Sequence, residues 1–402
     1  MPWKQSTSIK SSKCMVLVSL PLYFNKTLII RVATKAGAVV AGQTSVKAPE
    51  KAAFEAYLPD NVYIVSCHSL HGPSVPPLGQ PLVLIHHRGP PWTLTLVENI
   101  LRPFGSRYVY LSFEEHDSVT ANTQAVTHAA FLSMGTAWKS CGNYPWEEPE
   151  ARYVGGIETV KVNISHRIYA NNWHVYAGLA ILNPSAKIQI EQYAKSCTEL
   201  FKLMLESKGV ELRERIYKAR DSVFRRSRPI LLSEDLLDRF SLGTHQNAGP
   251  SPAPQPQQGD PHAVNPMPAT QAPRLSSRAN SHLSLLAMVD CWATLSIDPF
   301  SDLEVAATPI FRMWIGVAEY LFRSRERLDA ALEAALSDTT HRADDLEFTI
   351  AARGWSQCVS FGSFELYRRR FEETASFFQP RFEEAQIVAA RMITAILEEG
   401  GT

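Results

Sequence analysis

A cluster of polar residues, SCHSLHGP at residues 66–73, follows a run of β-branched and aromatic residues that ends at Val65. Ligands of open α/β sheets bind at the carboxyl ends of the strands, so this pattern places His68 where a reacting group belongs. A histidine, with an ordinary pKa near 6.5, can accept a proton at neutral pH. A histidine that only caps a turn is the alternative. Cys67 is a poor nucleophile candidate, because neighbours on an extended segment point to opposite faces.

Three further positions carry side chains suited to binding a substrate. Ser45 follows another strand-like run; it could hold the tautomer of His68, meet a substrate hydroxyl, or only cap a helix. Gln124 and His128 are four residues apart and therefore share one face of a predicted helix. Arg167 lies beside an apolar helical stripe, which indicates either an anionic partner or a side chain that reaches solvent.

The elements that must position these residues are of two kinds. Up to about residue 111, short runs of β-branched and aromatic residues alternate with helical patterns at 49–58 and 93–104. This alternation predicts an open sheet with crossover helices. The predicted strands are 28–32, 38–40, 62–65, 82–85 and 108–111.

After Glu114 the strand pattern stops and long amphipathic helices are predicted, with a break at Asn183-Pro184. The segment EEHD at 114–117 opens the first of them and is interpreted mainly as a cap, since acidic residues there suit the helix dipole. The predicted helices are 115–140, 155–182, 185–206 and 211–226, and helices resume at residue 281.

The helical part contains an internal match. THAAFLSMGTAW at 127–138 aligns with SHLSLLAMVDCW at 281–292 without a gap. This predicts two copies of one helical unit, although a shared packing pattern is the alternative. Near the register of Arg167 the second copy has Glu319, so we expect an internal pseudo-dimer with one working site per chain. A homodimer is also possible.

Residues 243–280 are rich in proline, glutamine, alanine and serine, a composition that predicts a disordered linker. The predicted organisation has an atypical N-terminal segment at 1–36, the C-terminal remnant of a nucleotide-binding domain at 37–112 and helical copies at 113–242 and 281–402, separated by that linker.

Composition excludes several classes of function. Lysine plus arginine equals aspartate plus glutamate at 40 each, so no global basic field recruits nucleic acid or acidic membranes. The six cysteines form no CxxC pair, which argues against disulfides and zinc and favours a reducing, cytoplasmic location. The apolar run within residues 10–24 is weighed as a signal peptide; it contains Pro21 and lacks a small-residue cleavage site.

Five ordered motifs together resemble fungal-type prephenate dehydrogenase. They are GQTSVK at 42–47, SCHSLHGP at 66–73, EHD at 115–117, TQAVTH at 123–128 and RIYANNWH at 167–174. The resemblance implies a partial Rossmann-type α/β domain followed by an all-α, internally duplicated helical domain with the C-terminal arrangement of 6-phosphogluconate dehydrogenase.

The resemblance also implies a reaction and roles for residues. The family oxidises prephenate with NADP to 4-hydroxyphenylpyruvate, with loss of the ring carboxylate as carbon dioxide, in tyrosine biosynthesis. His68 matches the catalytic histidine and Ser45 the serine that supports it. Arg167 matches the arginine that binds the substrate carboxylate, and His128 and Gln124 line the substrate pocket.

The sequence departs from the family pattern at its front. It contains no GxGxxG, the turn that holds a dinucleotide pyrophosphate, so cofactor-binding residues remain unassigned. The resemblance therefore implies that the front of the nucleotide-binding domain is missing. A catalytically silent protein that binds prephenate or tyrosine, or that only dimerises, is the alternative function.

Overall fold

The structure is a computed structural model in which a mixed β-sheet with two helices precedes a larger helical assembly. The predicted strand at 28–32 and nearly all of the proline-rich segment lie outside the described residues. The residues described are 15–18, 34–71, 76–142, 144, 156–225, 230–233, 237, 280–306, 308–339, 342–383, 387, 390 and 394.

The sheet has five strands in the order β1-β2-β3-β4-β5. Strands β1, β2 and β3 are parallel, whereas β4 runs antiparallel to β3 and parallel to β5. The sequence pattern did not predict this reversal, because residue alternation does not encode strand direction. The edge strand β1 belongs to the apolar run that was weighed as a signal peptide. The strands are β1 (Met15–Val18), β2 (Val39–Gly42), β3 (Tyr63–His68), β4 (Pro81–Arg88) and β5 (Arg107–Tyr110), and the sheet helices are α1 (Ala48–Tyr57) and α2 (Trp92–Leu101).

Helices α1 and α2 cover opposite faces of the sheet, because successive strand residues point to opposite sides. Val40 and Ile64 pack with Phe54 of α1 on one face. Their neighbours Val39 and Val65 lie in the core of the other face, with α2. The two predicted crossover helices therefore enclose a buried sheet, whose β2 and β3 end side by side.

The helical part follows the predicted pattern with two differences. The single helix expected at 115–140 contains a π-helical turn, Ala121–Ala125, between α3 and α4. The helix expected at 155–182 is broken after Tyr169, where the Asn171 side chain bonds to the Arg167 carbonyl at 2.8 Å. The helices are α3 (Phe113–Thr120), α4 (Val126–Cys141), α5 (Gly156–Tyr169), α6 (Trp173–Leu182), α7 (Pro184–Leu205), α8 (Gly209–Val223), α9 (Leu283–Thr294), α10 (Pro299–Val305), α11 (Pro309–Arg323), α12 (Arg325–Ser337), α13 (Arg342–Ser360) and α14 (Phe364–Phe378).

The two helical halves exchange partners. Helix α4 of the first half packs mainly against α13, while α9, which carries the matching sequence, packs mainly against α7. Helices α7 and α13 also pack together. One hydrophobic core contains residues of both halves, and the rings of Phe131 and Trp314 lie 4.8 Å apart within it.

Among the described helices, none is by itself long and apolar enough to cross a membrane. The bent pair α9 and α10, at 87° to each other, meets that length and composition test only when taken together. The same part of the chain contains no group of three or more His, Cys, Asp or Glu side chains placed to hold a metal ion.

Candidate functional site

His68 is the last residue of β3, at the edge of the sheet where β2 also ends. Its side chain is 9% exposed, and its Nδ1 lies 2.8 Å from Nε2 of His116. His116 is on α3, so this contact joins the carboxyl end of a strand to the first helix of the helical part. The predicted position of His68 at a strand end is thus the position observed.

Asp117 continues this chain of hydrogen bonds. Its Oδ1 lies 2.9 Å from Nδ1 of His116, and its two carboxylate oxygens accept the backbone N–H groups of Lys47 and Ala48, each at 2.7 Å. The carboxylate therefore caps the amino end of α1 from another element. Asp117, His116 and His68 form one hydrogen-bonded series, which we call the histidine relay.

The role assigned to the EEHD segment was only partly right. Ser112 and Glu115 do form a capping box at the start of α3. His116 and Asp117 are buried, however, at 1% and 4% exposure, and point to His68 and α1. Sequence reasoning missed them because their partners lie 48 and 70 residues away.

Burial governs the protonation of the relay. The pKa of His68 lies well below the ordinary 6.5, first because burial disfavours the charged form and then because His116, Lys47 and His71 are close. Burial also lowers the pKa of His116, although the bond to Asp117 acts in the opposite direction. Both imidazoles are therefore neutral at pH 7, as a proton acceptor must be.

A buried ion pair holds the ends of β2 and β3 together beside His68. The Lys47 ammonium donates to the Gly42 carbonyl at 3.3 Å, to Ser66 Oγ at 2.8 Å and to the Cys67 carbonyl at 3.0 Å. It lies 3.1 Å from the Glu50 carboxylate, and both side chains are at most 1% exposed. A Cβ on Gly42 would come within 2.1 Å of that carboxyl group, so only glycine allows this approach.

Ser45 and Cys67 lie close to this pair in the chain but take no part in the relay. Ser45 is exposed, and its hydroxyl does not contact His68, whose Nδ1 is bonded to His116 instead. The predicted support of His68 by Ser45 is therefore absent, and a contact of Ser45 with substrate stays a prediction. Burial raises the pKa of the Cys67 thiol, which agrees with its poor rating as a nucleophile.

A second cluster forms around His128 on α4. The His128 and Tyr176 rings contact at 4.7 Å, and the Tyr176 hydroxyl accepts a bond from Asn171 at 3.2 Å. Burial raises the pKa of Tyr176 to about 12 against the opposing effect of the nearby Arg167 charge. Arg167 is half-buried and has no carboxylate partner in the part of the chain that the structure describes.

His128 faces a small cavity that both helical halves enclose. Burial lowers its pKa to about 4, and its buried Nδ1 has no hydrogen-bond partner. Tyr176 of α6 lines the cavity together with Trp355 of α13 and Tyr367 of α14. Gln124 lies in the π-helical turn, half-buried, and is not among the lining residues.

The predicted site residues thus form two clusters. His128, Tyr176 and Arg167 belong to one, and His68 belongs to the relay; no contact or cavity in the described ranges joins His68 to Arg167. His116 and His128 are twelve residues apart on one nearly continuous helical stretch, which corresponds to about 18 Å between their backbones. The clusters are neighbours along this stretch.

Comparison with known proteins links most of the chain to one group. A family profile described as a 6-phosphogluconate dehydrogenase C-terminal domain matches residues 125–398. The probable prephenate dehydrogenase (NADP(+)) of Schizosaccharomyces pombe is 48% identical over 371 residues, 91% of this chain and 79% of that protein. The prephenate dehydrogenase (NADP(+)) of Saccharomyces cerevisiae is 47% identical over 366 residues, 90% of this chain and 76% of that protein.

One solved structure is also similar. It is the prephenate dehydrogenase from A. aeolicus in complex with hydroxyphenyl propionate and NAD+, at 20% sequence identity and a TM-score of 0.38. The similarity covers 50% of this chain and 72% of that one.

Proposed function

Because this chain belongs to the prephenate dehydrogenase family, as its motifs predicted, we propose that it catalyses the NADP-dependent oxidative decarboxylation of prephenate to 4-hydroxyphenylpyruvate in tyrosine biosynthesis. The observation that carries the proposal is identity near one half over about nine-tenths of the chain. That span is long enough to include both clusters of the candidate site.

The neutral, buried His68 suits the first proton transfer of this reaction. It would accept the proton of the ring hydroxyl, while the hydride from the same ring carbon passes to NADP. The bond from the ring to its carboxylate then breaks, carbon dioxide leaves, and the bonding electrons make the ring aromatic. His68 can return its proton to the phenolate oxygen, so no net proton is consumed. A positioned acid or base contributes roughly 10²- to 10⁴-fold in rate.

Arg167 is proposed to bind a substrate carboxylate. Its charge lies near Tyr176 and has no carboxylate partner among the described residues, which supports an anionic ligand. A charge-assisted hydrogen bond of this kind is worth about 1.5–3 kcal/mol. We keep His128 and Gln124 as proposed pocket residues and Ser45 as a proposed substrate contact.

The described residues do not supply a site for the pyrophosphate of NADP. The sequence has no GxGxxG, and the amino end of α1, which follows β2, is occupied by the Asp117 carboxylate. A phosphate there would meet a negative charge. No residue of the described part is therefore assigned to the cofactor.

The helical halves are proposed to act as an internal pseudo-dimer with one working site. The exchanged packing of α4 with α13 and of α9 with α7 supports this arrangement. At the position near the register of Arg167, Glu319 is fully buried and pairs with Arg323 at 2.8 Å. The second copy therefore offers a wall to the first site instead of a second cation. A homodimer, a cytoplasmic location and the absence of nucleic-acid or membrane partners stay predictions.

The test is the appearance of NADPH absorbance when the purified chain is mixed with prephenate and NADP, with separate titrations of each ligand. Turnover supports the proposed activity. A folded chain that binds prephenate without turnover or NADP binding would instead be the silent binding protein of the alternative. A chain that binds neither ligand would contradict both.

A further inference from the structure

The bonds of Asp117 determine where the hydrogen lies on His116. The carboxylate accepts two backbone N–H groups at 2.7 Å and lies 2.9 Å from Nδ1 of His116. An ionised carboxylate can only accept hydrogen bonds, so Nδ1 of His116 must carry the hydrogen. A neutral imidazole has one N–H, which leaves Nε2 of His116 as an acceptor.

The same reasoning extends to His68. Its Nδ1 lies 2.8 Å from the acceptor Nε2 of His116, so Nδ1 of His68 must be the donor. The nitrogen left without a hydrogen is Nε2, which forms no hydrogen bond with the described residues. Burial lowers the pKa of both rings, so the neutral forms that this reasoning requires are the ones present at pH 7.

We propose that His116 and Asp117 are positioning residues, which fix His68 with the lone pair of its Nε2 free to accept the proton of a substrate hydroxyl. This inference rests on the proposed function of His68. In the step, the substrate O–H bond breaks, an N–H bond forms at Nε2, and the resulting imidazolium shares its Nδ1 hydrogen with His116. The Asp117 carboxylate then stabilises the positive charge of the two rings.

Capping of α1 alone does not account for this geometry. A capping carboxylate needs only the N–H groups of Lys47 and Ala48, whereas here a buried histidine is inserted between it and His68. If Asp117 only capped α1, its replacement would change the stability of the chain but not the hydrogen positions on His68. The two roles therefore predict different spectra.

The first experiment reads those positions without requiring turnover. Histidine-selective ¹⁵N labelling of the full chain at neutral pH, with assignment from His68→Gln and His116→Phe spectra, distinguishes protonated from unprotonated ring nitrogens. We expect protonated Nδ1 and unprotonated Nε2 on both rings. A hydrogen on Nε2 of His68 in the unmodified chain would overturn the proposal. This readout decides it even if the chain shows no dehydrogenase activity.

Kinetics supply the second readout where the chain turns over. We expect His116→Phe to lower kcat by about 10²-fold with KM changed less than about threefold, and Asp117→Asn to have little further effect in that background. His87→Phe, a histidine outside the relay that contacts Glu55 at 3.0 Å, is the matched control and should retain activity. Unchanged kcat in a folded His116→Phe variant would contradict the proposal.

Discussion

At the scale of single residues, partners separate the proposed roles of His68 and Arg167. His68 is buried, neutral and bonded through one ring nitrogen to His116. Arg167 is half-buried, charged and without a carboxylate partner in the described ranges. The first side chain is suited to move a proton and the second to hold an anion.

We therefore expect His68→Asn and Arg167→Ala to affect different kinetic constants. The first should lower kcat by roughly 10²- to 10⁴-fold, because it removes the proton acceptor. The second should raise KM for prephenate by about 10- to 100-fold, as expected for loss of a charge-assisted bond. Steady-state kinetics would measure both, with the exposed Arg325→Ala as control. Small and equal effects would mean that the roles are misassigned.

His128 makes the stability of the chain sensitive to acid. Burial lowers its pKa to about 4 from 6.5, so between these pH values the unfolded chain binds a proton that the folded chain does not. The free energy of unfolding should fall as pH decreases through this window, by up to about 3 kcal/mol from this residue. His128→Leu should remove that part of the loss.

Urea unfolding at pH 7 and pH 5 would measure the effect. The partly exposed His87→Leu serves as control and should leave the acid sensitivity as in the unmodified chain. Since burial also lowers the pKa of His68 and His116, part of the loss should remain in both variants. Equal pH dependence of His128→Leu and His87→Leu would contradict this assignment.

At the scale of elements, the Lys47–Glu50 pair joins the ends of β2 and β3 to the start of α1. Lys47→Met would leave the Glu50 carboxylate buried without its cation, which typically costs about 3–5 kcal/mol. The control is Lys51→Met, because Lys51 and Glu114 form an exposed pair that should contribute less than about 1 kcal/mol. Equal losses in urea unfolding would show that burial does not distinguish the two pairs.

At the scale of the whole molecule, the exchanged helices should keep the halves together after the chain is cut. We expect a protease site inserted near residue 260 to yield, after cleavage, two fragments that elute as one particle and unfold in one transition. The physical reason is that α4 and α9 each bury their main contact face in the other half. Size-exclusion chromatography with light scattering would measure this, and separation of the fragments would contradict the internal pseudo-dimer.

The amino-acid sequence by itself determined the local elements and the types of reacting residues. Runs of β-branched residues predicted β2 to β5, and Asn183-Pro184 predicted the start of α7, where the Asn183 side chain accepts from Ser185 and Ala186. These features depend on residues a few positions apart, so their patterns are visible in the chain. His68, His128 and Arg167 were singled out for the same reason.

Only the tertiary structure decided which residues meet. The bond of His68 to His116 and the capping of α1 by Asp117 join residues 48 and 70 positions apart, and Trp355 closes the cavity at His128 from the other half of the chain. The reversal of β4 and the π-helical turn after α3 belong to the same class. Such contacts are selected by the packing of whole elements against each other, which spacing within one element does not encode.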